Sequence, residues 1–185
     1  NCAVFISGNG SNLESLIKEN TKEDFPIKIG LIISDKSNAK GLKFSKIYNI
    51  NCFSVEYSNF EDKRNFEIKL LDILMDNNIE IICLAGYMRI LSSFFIQSFR
   101  GPILNIHPSL LPKYKGLNTH QRALDNNDKL AGCTVHHVVE NVDSGEIILQ
   151  KSLNINKNET FTSLQKRVLK LEHKAYSEAI RKIFT

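Results

Sequence analysis

Strand-like and helix-like runs alternate through the first half of the chain: Cys2–Ile6 then Ser11–Glu19, Lys28–Ser34 then Ala39–Tyr48, Cys52–Val55 then Asn59–Met75. This rhythm constrains the fold more than any other feature, because neighbouring parallel strands need a long crossover and a helix supplies one. Glu80–Leu84 and Pro102–Asn105 continue the series, with a short helix near Ser92–Phe99 between them. The unbroken apolar run Ile81-Ile82-Cys83-Leu84 marks a strand covered on both faces, as in a parallel sheet. Further on, Thr119–Asp125 reads as a helix, and Cys133–Val139 and Ile147–Ile155 read as two longer strands able to pair antiparallel. Thr160–Phe184 closes the chain as a helix whose Leu164, Val168, Leu171, Ala175, Ala179 and Ile180 fall near a 3.6-residue period beneath a basic face. The expected architecture is α/β, with a mostly parallel sheet of about seven strands flanked by helices and an antiparallel C-terminal strand pair. No repeat, low-complexity tract or linker interrupts residues 1–185, so one domain is expected.

The bulk numbers narrow the class. At 185 residues, 42% of them hydrophobic and 24% charged, the chain can bury roughly 70% of its unfolded surface and fold alone. Lys and Arg exceed Asp and Glu by 24 to 20 but are spread along the chain, which argues against nucleic acid and suits a small anionic ligand. Cys2, Cys52, Cys83 and Cys133 stand singly in or beside apolar runs, as buried reduced thiols do in a reducing compartment. No apolar stretch approaches the roughly 18 residues that cross a bilayer, so no membrane partner is expected. The first residue is Asn1 rather than Met and a strand begins at once, which is compatible with a missing upstream piece; the mature protein is expected to be cytoplasmic.

Three constellations carry chemistry. Ser7-Gly8-Asn9-Gly10-Ser11-Asn12 joins the first strand to the first helix, and its glycines let backbone amides approach an anion at the positive end of that helix. It lacks the Gly-Lys-Ser/Thr ending of ATPase loops and the full dinucleotide fingerprint, and a tight turn capped by Ser11 or Asn12 is the bland alternative. The second is Asn105-Ile106-His107-Pro108-Ser109-Leu110-Leu111-Pro112, where an amide and an imidazole two positions apart share one side of a strand that Pro108 stops. Asp143, in the loop-like stretch Glu140–Gly145, can fold back against His107. The carboxylate is expected to raise the ring's pKa, making His107 a proton donor and Asn105 a partner in stabilising an oxyanion. Such a trio suits acyl transfer without a Ser or Cys nucleophile; Ser109 lacks the turn that would expose it. The third, Leu84-Ala85-Gly86-Tyr87-Met88-Arg89-Ile90-Leu91, leaves a buried strand and could wall a flat heteroaromatic ligand, or else simply join the core. Cys133 and His137 share a strand face, but no further ligand stands at zinc-like spacing, so no metal is expected; His136, on the other face with Thr134, could border the site. His120 and His173 read as helix residues.

In this order, Ile6–Leu13, Leu84–Leu91, Asn105–Tyr114 with Gly116, and Asp143 with Gly145 resemble the folate-dependent formyltransferases of purine synthesis, the phosphoribosylglycinamide formyltransferase family, essentially end to end. The resemblance implies a Rossmann-like domain that transfers a formyl group from 10-formyltetrahydrofolate, as co-substrate, to the amine of 5-phosphoribosylglycinamide. It implies an N-terminal phosphate-binding half over about 1–100 and a catalytic and folate half over about 80–185. It assigns Gly10, Ser11, Asn12, Leu13 and Glu14 to the phosphoribosylglycinamide, chiefly its phosphate, with Glu172 also contacting that sugar nucleotide; Met88, Arg89, Ile90, Leu91 and Asn105 to the folate; and His107 and Asp143, with Asn105, to catalysis. Where the family often has Arg, this chain has Lys63 with Arg64 beside it, and either cation could meet the folate; Lys115 and Asn118 also vary the loop after His107. Formyltetrahydrofolate hydrolases and the formylating domain that modifies initiator methionyl-tRNA resemble the same fold and trio, but fit the first loop less well and carry extra domains. A nucleotide-binding regulatory module would use the glycine loop without needing Asn105, His107 and Asp143 together. The oligomeric state has no signature in the sequence.

Overall fold

The computed structural model describes residues 1–184. They divide into two compact units, Asn1–Leu104 and the chain from Asn105 onward.

In the first unit β1 (Cys2–Ile6), β2 (Ile29–Ser34), β3 (Asn51–Ser54) and β4 (Ile81–Leu84) run parallel. Registers such as Val4 with Ile32 and Val4 with Cys83 place β1 between β2 and β4. Every residue of β1 and β4 is buried, which is why both read as unbroken apolar runs. The crossovers are α1 (Ser11–Asn20), α2 (Lys43–Tyr48) and α3 (Lys63–Asp76), and α4 (Ser93–Ser98) follows β4. Helix α1 buries Leu13, Leu16 and Ile17, and α3 buries Phe66, Leu70, Ile73 and Leu74, both at the 3–4 spacing of one helical face.

Two expected helices are shorter than the apolar pattern suggests. Residues Lys40–Leu42 and Tyr57–Asn59 form 3₁₀ turns ahead of α2 and α3. Helix α3 starts only after Asp62, whose carboxylate accepts the Asn65 N–H at 2.8 Å as an N-cap. Cys52 corrects another expectation: it lies exposed on β3, a strand of which all four residues are exposed. Cys2 and Cys83, single in sequence, meet across β1 and β4 with sulfurs 3.7 Å apart, both as free thiols.

In the second unit β6 (Leu130–His137) and β7 (Ile147–Asn154) pair antiparallel, Leu130 opposite Asn154 and Val135 opposite Leu149. Strand β6 begins three residues before the expected Cys133, while β5 (Ile103–His107) extends to His107, and α5 (Thr119–Asp125) lies where the pattern places it. Helix α6 (Phe161–Phe184) packs on β6 and β7 through Leu164, Val168, Ala175, Tyr176, Ala179 and Ile180. The strands follow the order β3-β2-β1-β4-β5-β6-β7, the mostly parallel α/β sheet with an antiparallel C-terminal pair that the alternation predicts. Among the described residues no helix is long and apolar enough to cross a membrane.

Candidate active site

Strand β5 delivers Asn105 and His107, and the turn between β6 and β7 delivers Asp143. Two residues apart on a strand, the amide and the imidazole face the same way, and both reach Asp143. His107 Nδ1 lies 3.4 Å from Asp143 Oδ2, and Asn105 Nδ2 lies 3.5 Å from Asp143 Oδ1. Asp143 occupies the left-handed region at φ 48°, tolerable for Asp. Gly145 lets that turn close, since a Cβ there would fall 1.8 Å from the His137 carbonyl oxygen.

Backbone groups from the loop between β5 and α5 complete the cluster. His107 Nε2 donates to the Tyr114 carbonyl at 2.8 Å, and the Gly116 N–H donates to Asp143 Oδ2 at 2.8 Å. A carbonyl can only accept, so the Nε2 hydrogen is committed and Nδ1 is the atom that gains and loses a proton. His136 is the residue that sequence reasoning placed only at the border. Its Nδ1 donates to the His137 carbonyl at 2.8 Å, leaving Nε2 to accept from Asn105 Nδ2 at 3.2 Å. His136 Nε2 also lies 3.5 Å from Asp143 Oδ1. The buried His136 ring thus orients the Asn105 amide.

The electrostatics correct one expectation. Burial pushes the His107 pKa below its ordinary value; the Tyr114 carbonyl and the Asp143 charge raise it, but do not offset burial together with His136 and Arg122. His107 therefore rests neutral near pH 7 rather than charged. Asp143 keeps its charge: burial pushes its pKa up, but His136, the Gly116 N–H and His107 together hold it below the usual carboxylate value. Ser109 is buried and its hydroxyl donates to the Lys113 carbonyl at 2.6 Å, a loop residue as expected. Glu172 is buried on α6, beside Cys133, whose thiol burial and that carboxylate push up to about 12.

In the first unit the glycine loop is anchored on both sides. Ser7 Oγ accepts the Met88 N–H at 2.8 Å, the Ser7 N–H donates to the Gly86 carbonyl at 3.2 Å, and the Gly41 N–H donates to the Gly8 carbonyl at 3.0 Å. Gly10, at φ 74°, precedes α1 directly; a Cβ there would fall 2.7 Å from Gly41 Cα. Ser11 opens the helix rather than capping it, and the N-cap position is Gly10 without a side-chain hydrogen bond. Asn12 and Leu13 are buried, Leu13 completely, and Glu14 pairs with Lys18 at 2.8 Å. The loop hydrogen bonds bring Gly86–Met88 against it. Met88 and Ile90, 60% and 61% exposed, present apolar surface to solvent, whereas Leu91 joins the core. Arg89 is held by Asp35, with Nε 3.2 Å from Oδ2, and stacks on Tyr57 at 4.5 Å. Lys63 Nζ sits 3.9 Å from the buried Glu67, while Arg64 stacks on Phe94 at 4.2 Å. Among the described residues no group of three or more His, Cys, Asp or Glu side chains is placed to hold a metal.

A model of the formyl transferase family matches residues 1–180. Phosphoribosylglycinamide formyltransferase of Bacillus subtilis (strain 168) is 38% identical over 181 residues, 98% of this chain and 93% of that protein. The human trifunctional purine biosynthetic protein adenosine-3 is 40% identical over 179 residues, 97% of this chain but only 18% of that longer protein. Among solved structures, phosphoribosylglycinamide formyltransferase from Brucella melitensis superposes with a TM-score of 0.95 at 45% identity, covering 100% of this chain and 95% of the other. Matched in sequence and in fold over nearly its whole length, this chain belongs to the formyl transferase family, among its phosphoribosylglycinamide formyltransferases.

Proposed function

We propose that Asn105, His107 and Asp143 carry out formyl transfer from 10-formyltetrahydrofolate to the amine of 5-phosphoribosylglycinamide, a step of purine biosynthesis. The contact between His107 Nδ1 and Asp143 carries this reading, because it leaves one titrating nitrogen beside one stable carboxylate. An amine of ordinary pKa, near 8, holds its proton at neutral pH while His107 does not. The productive state arises when that proton passes to Nδ1, with Asp143 and a water as the relay, leaving a neutral amine facing an imidazolium. The amine nitrogen then attacks the formyl carbon; the new C–N bond forms as the carbonyl pair moves to oxygen. Asn105 Nδ2 and the imidazolium stabilise that oxyanion, an interaction absent from the ground state. The 3.5 Å Asn105–Asp143 contact is loose enough to release one amide hydrogen for the task. As the oxyanion re-forms the carbonyl and the bond to the folate nitrogen breaks, that nitrogen takes the proton held at His107 Nδ1, and the incoming nitrogen gives its second proton through the Asp143 water relay to solvent, so ring and carboxylate return to their resting states.

Gly10–Glu14 would hold the substrate, the backbone of α1's first turn favouring its phosphate, with Glu172 at the sugar. Met88–Leu91 would line the folate with Asn105, and Arg64, whose guanidinium lies over an aromatic ring rather than beside a buried carboxylate, fits the folate better than Lys63. The test is to mix the protein with both substrates and follow folate absorbance. Change that requires phosphoribosylglycinamide supports transfer; equal change with the folate alone means hydrolysis and overturns the reading.

A further inference from the structure

The loop from Pro108 to Asn118 supplies both backbone groups that hold the catalytic pair; Ser109 and Leu111 pack its start, but no residue from Pro112 to Asn118 is buried. A cavity of about 440 Å³ lies against it, lined by Ser109, Leu110, Tyr114, His120, Ala123 and Ala131 among others. Side chains facing this solvent-open space have fewer packing contacts to fix them than a segment packed on both sides. The loop also adopts conformations that need outside support: Tyr114 is left-handed at φ 58°, uncommon for a bulky residue, and Gly116 follows at φ 76°.

Polar ties hold it instead. Its first leg is fixed by Thr134, whose Oγ1 accepts the Leu111 N–H at 3.1 Å, and by Gln150, which donates to the Leu111 carbonyl at 2.8 Å. Its second leg converges on two residues to which the proposed chemistry gives no role. Asp128 accepts the Tyr114 hydroxyl at 2.8 Å and Lys113 Nζ at 3.0 Å. Arg122 donates to the Lys115 carbonyl at 2.7 Å, and its guanidinium stacks 4.9 Å from the Tyr114 ring centre. Tyr114 is thus gripped at hydroxyl and ring, while its carbonyl receives His107 Nε2 and the Gly116 N–H two residues on reaches Asp143.

We propose that Asp128 and Arg122 are positioning residues for formyl transfer, which hold Tyr114 over the cavity so that its carbonyl and the Gly116 amide fix His107 and Asp143. This rests on the catalytic reading above. His107 is faced by Asp143, His136, Arg122 and His120, so two variants are needed to separate position from charge. In D128N the tie to Tyr114 weakens while all the charges that face His107 stay in place; in R122Q the tie goes together with a cation that lowers the ring's pKa.

The test measures kcat, both KM values and the pH profile for the wild type, D128N, R122Q, the double variant and K113A. Losing one hydrogen-bonded tie is expected to lower kcat about five- to tenfold in each single variant with KM within about twofold. The double variant should lose less than the product of the two, since both act through Tyr114. In D128N the acidic limb of the profile moves to lower pH, because the carbonyl that favours the charged ring withdraws. K113A, which removes the Lys113–Asp128 ion pair and a 5.9 Å contact over the Tyr114 ring but leaves the hydroxyl tie, should lower kcat less than D128N does. Unchanged kcat and unchanged acidic limb in folded D128N and R122Q would overturn the proposal. If D128N unfolds, R122K decides: retained charge without the planar fork should still lower kcat, and wild-type kcat there refutes the device. A wild-type protein that transfers no formyl group refutes the catalytic reading instead.

Discussion

Replacing Asp143 by Asn removes one charge while keeping the shape, and the structure sets what it should cost. The carboxylate oxygen is 3.4 Å from His107 Nδ1, in a site where both side chains are about nine-tenths buried or more. Two unit charges 3.4 Å apart interact by about 5 kcal/mol at an effective dielectric of about 20, and by about 1 kcal/mol in bulk water. Both side chains keep a little exposure to water, so the loss of imidazolium stabilisation lies between these limits, about 3–4 kcal/mol. Formation of the reactive state depends on the ring's proton affinity relative to the amine's, so that loss becomes a fall in kcat of about 100- to 1000-fold.

The pH profile makes the test specific. The reactive state holds one proton shared between ring and amine, so the acidic limb of kcat/KM reports His107 and should lie below pH 6.5, the ring's ordinary value. Without the Asp143 charge the ring binds its proton less well, and that limb moves further down. Steady-state rates from about pH 5 to 9, with thermal melting as the control for folding, supply the measurement. An Asp143→Asn variant with kcat within about threefold of wild type, or with an acidic limb that stays in place, would show that the carboxylate does not act through the ring.

Three further outcomes follow from the same geometry. Asn105→Ala removes an oxyanion donor and leaves His136 Nε2 without its 3.2 Å partner; kcat should fall about 100- to 1000-fold, and a loss under about fivefold refutes the role. Gly10→Ala forces a Cβ to within 2.7 Å of Gly41 Cα at φ 74°; about 2 kcal/mol of lost stability should lower Tm by roughly 5 °C and raise KM for phosphoribosylglycinamide, and an unchanged Tm contradicts it. Stability should also depend on pH in a defined sense. His107 and His120 have lowered pKa values in the folded state, so the unfolded chain binds protons first as pH falls below about 6.5, and stability declines from there. Asp143, with its pKa lowered, adds stability that is full above about pH 3.8 and is lost as pH falls through its lower folded value. Tm measured from about pH 4 to 9 should be flat above about 7 and fall below about 6.5, and a His120→Gln variant should fall less steeply there.

The order of elements was legible because hydrophobic pattern and chain geometry dictate it. Strands β1 and β4 are buried on both faces and read as unbroken apolar runs, while α1 and α6 show their buried faces at helical spacing. Boundaries were less legible where a single polar contact decides them. Asp62 delays α3 through one hydrogen bond to Asn65, which apolar periodicity does not register. The exposure of Cys52 has the same origin: β3 pairs with β2, and a short apolar run cannot say whether a further strand or helix covers it.

At the site, what was legible was the set of side chains that chemistry demands, and what was hidden was the environment that sets their charge. Asn105 and His107 share a strand face by the two-residue period of any strand, and Asp143 does fold back to them. The pairing alone suggests a charged ring. Whether it is charged depends on how deeply the ring is buried and on a carbonyl seven residues away, and a backbone group carries no residue identity by which a sequence could announce it. The correction strengthens the chemistry. A ring already charged at rest would be stabilised by Asp143 before the reaction began, and that interaction would be largely spent in the ground state. A neutral ring beside a firmly ionised carboxylate gains its proton as the amine gives one up, so the interaction with Asp143 grows as the oxyanion forms. Burial, which lowers the pKa of His107, and the carboxylate, which raises it, are therefore complementary: one keeps the resting ring ready to receive, and the other keeps the cost of receiving within reach.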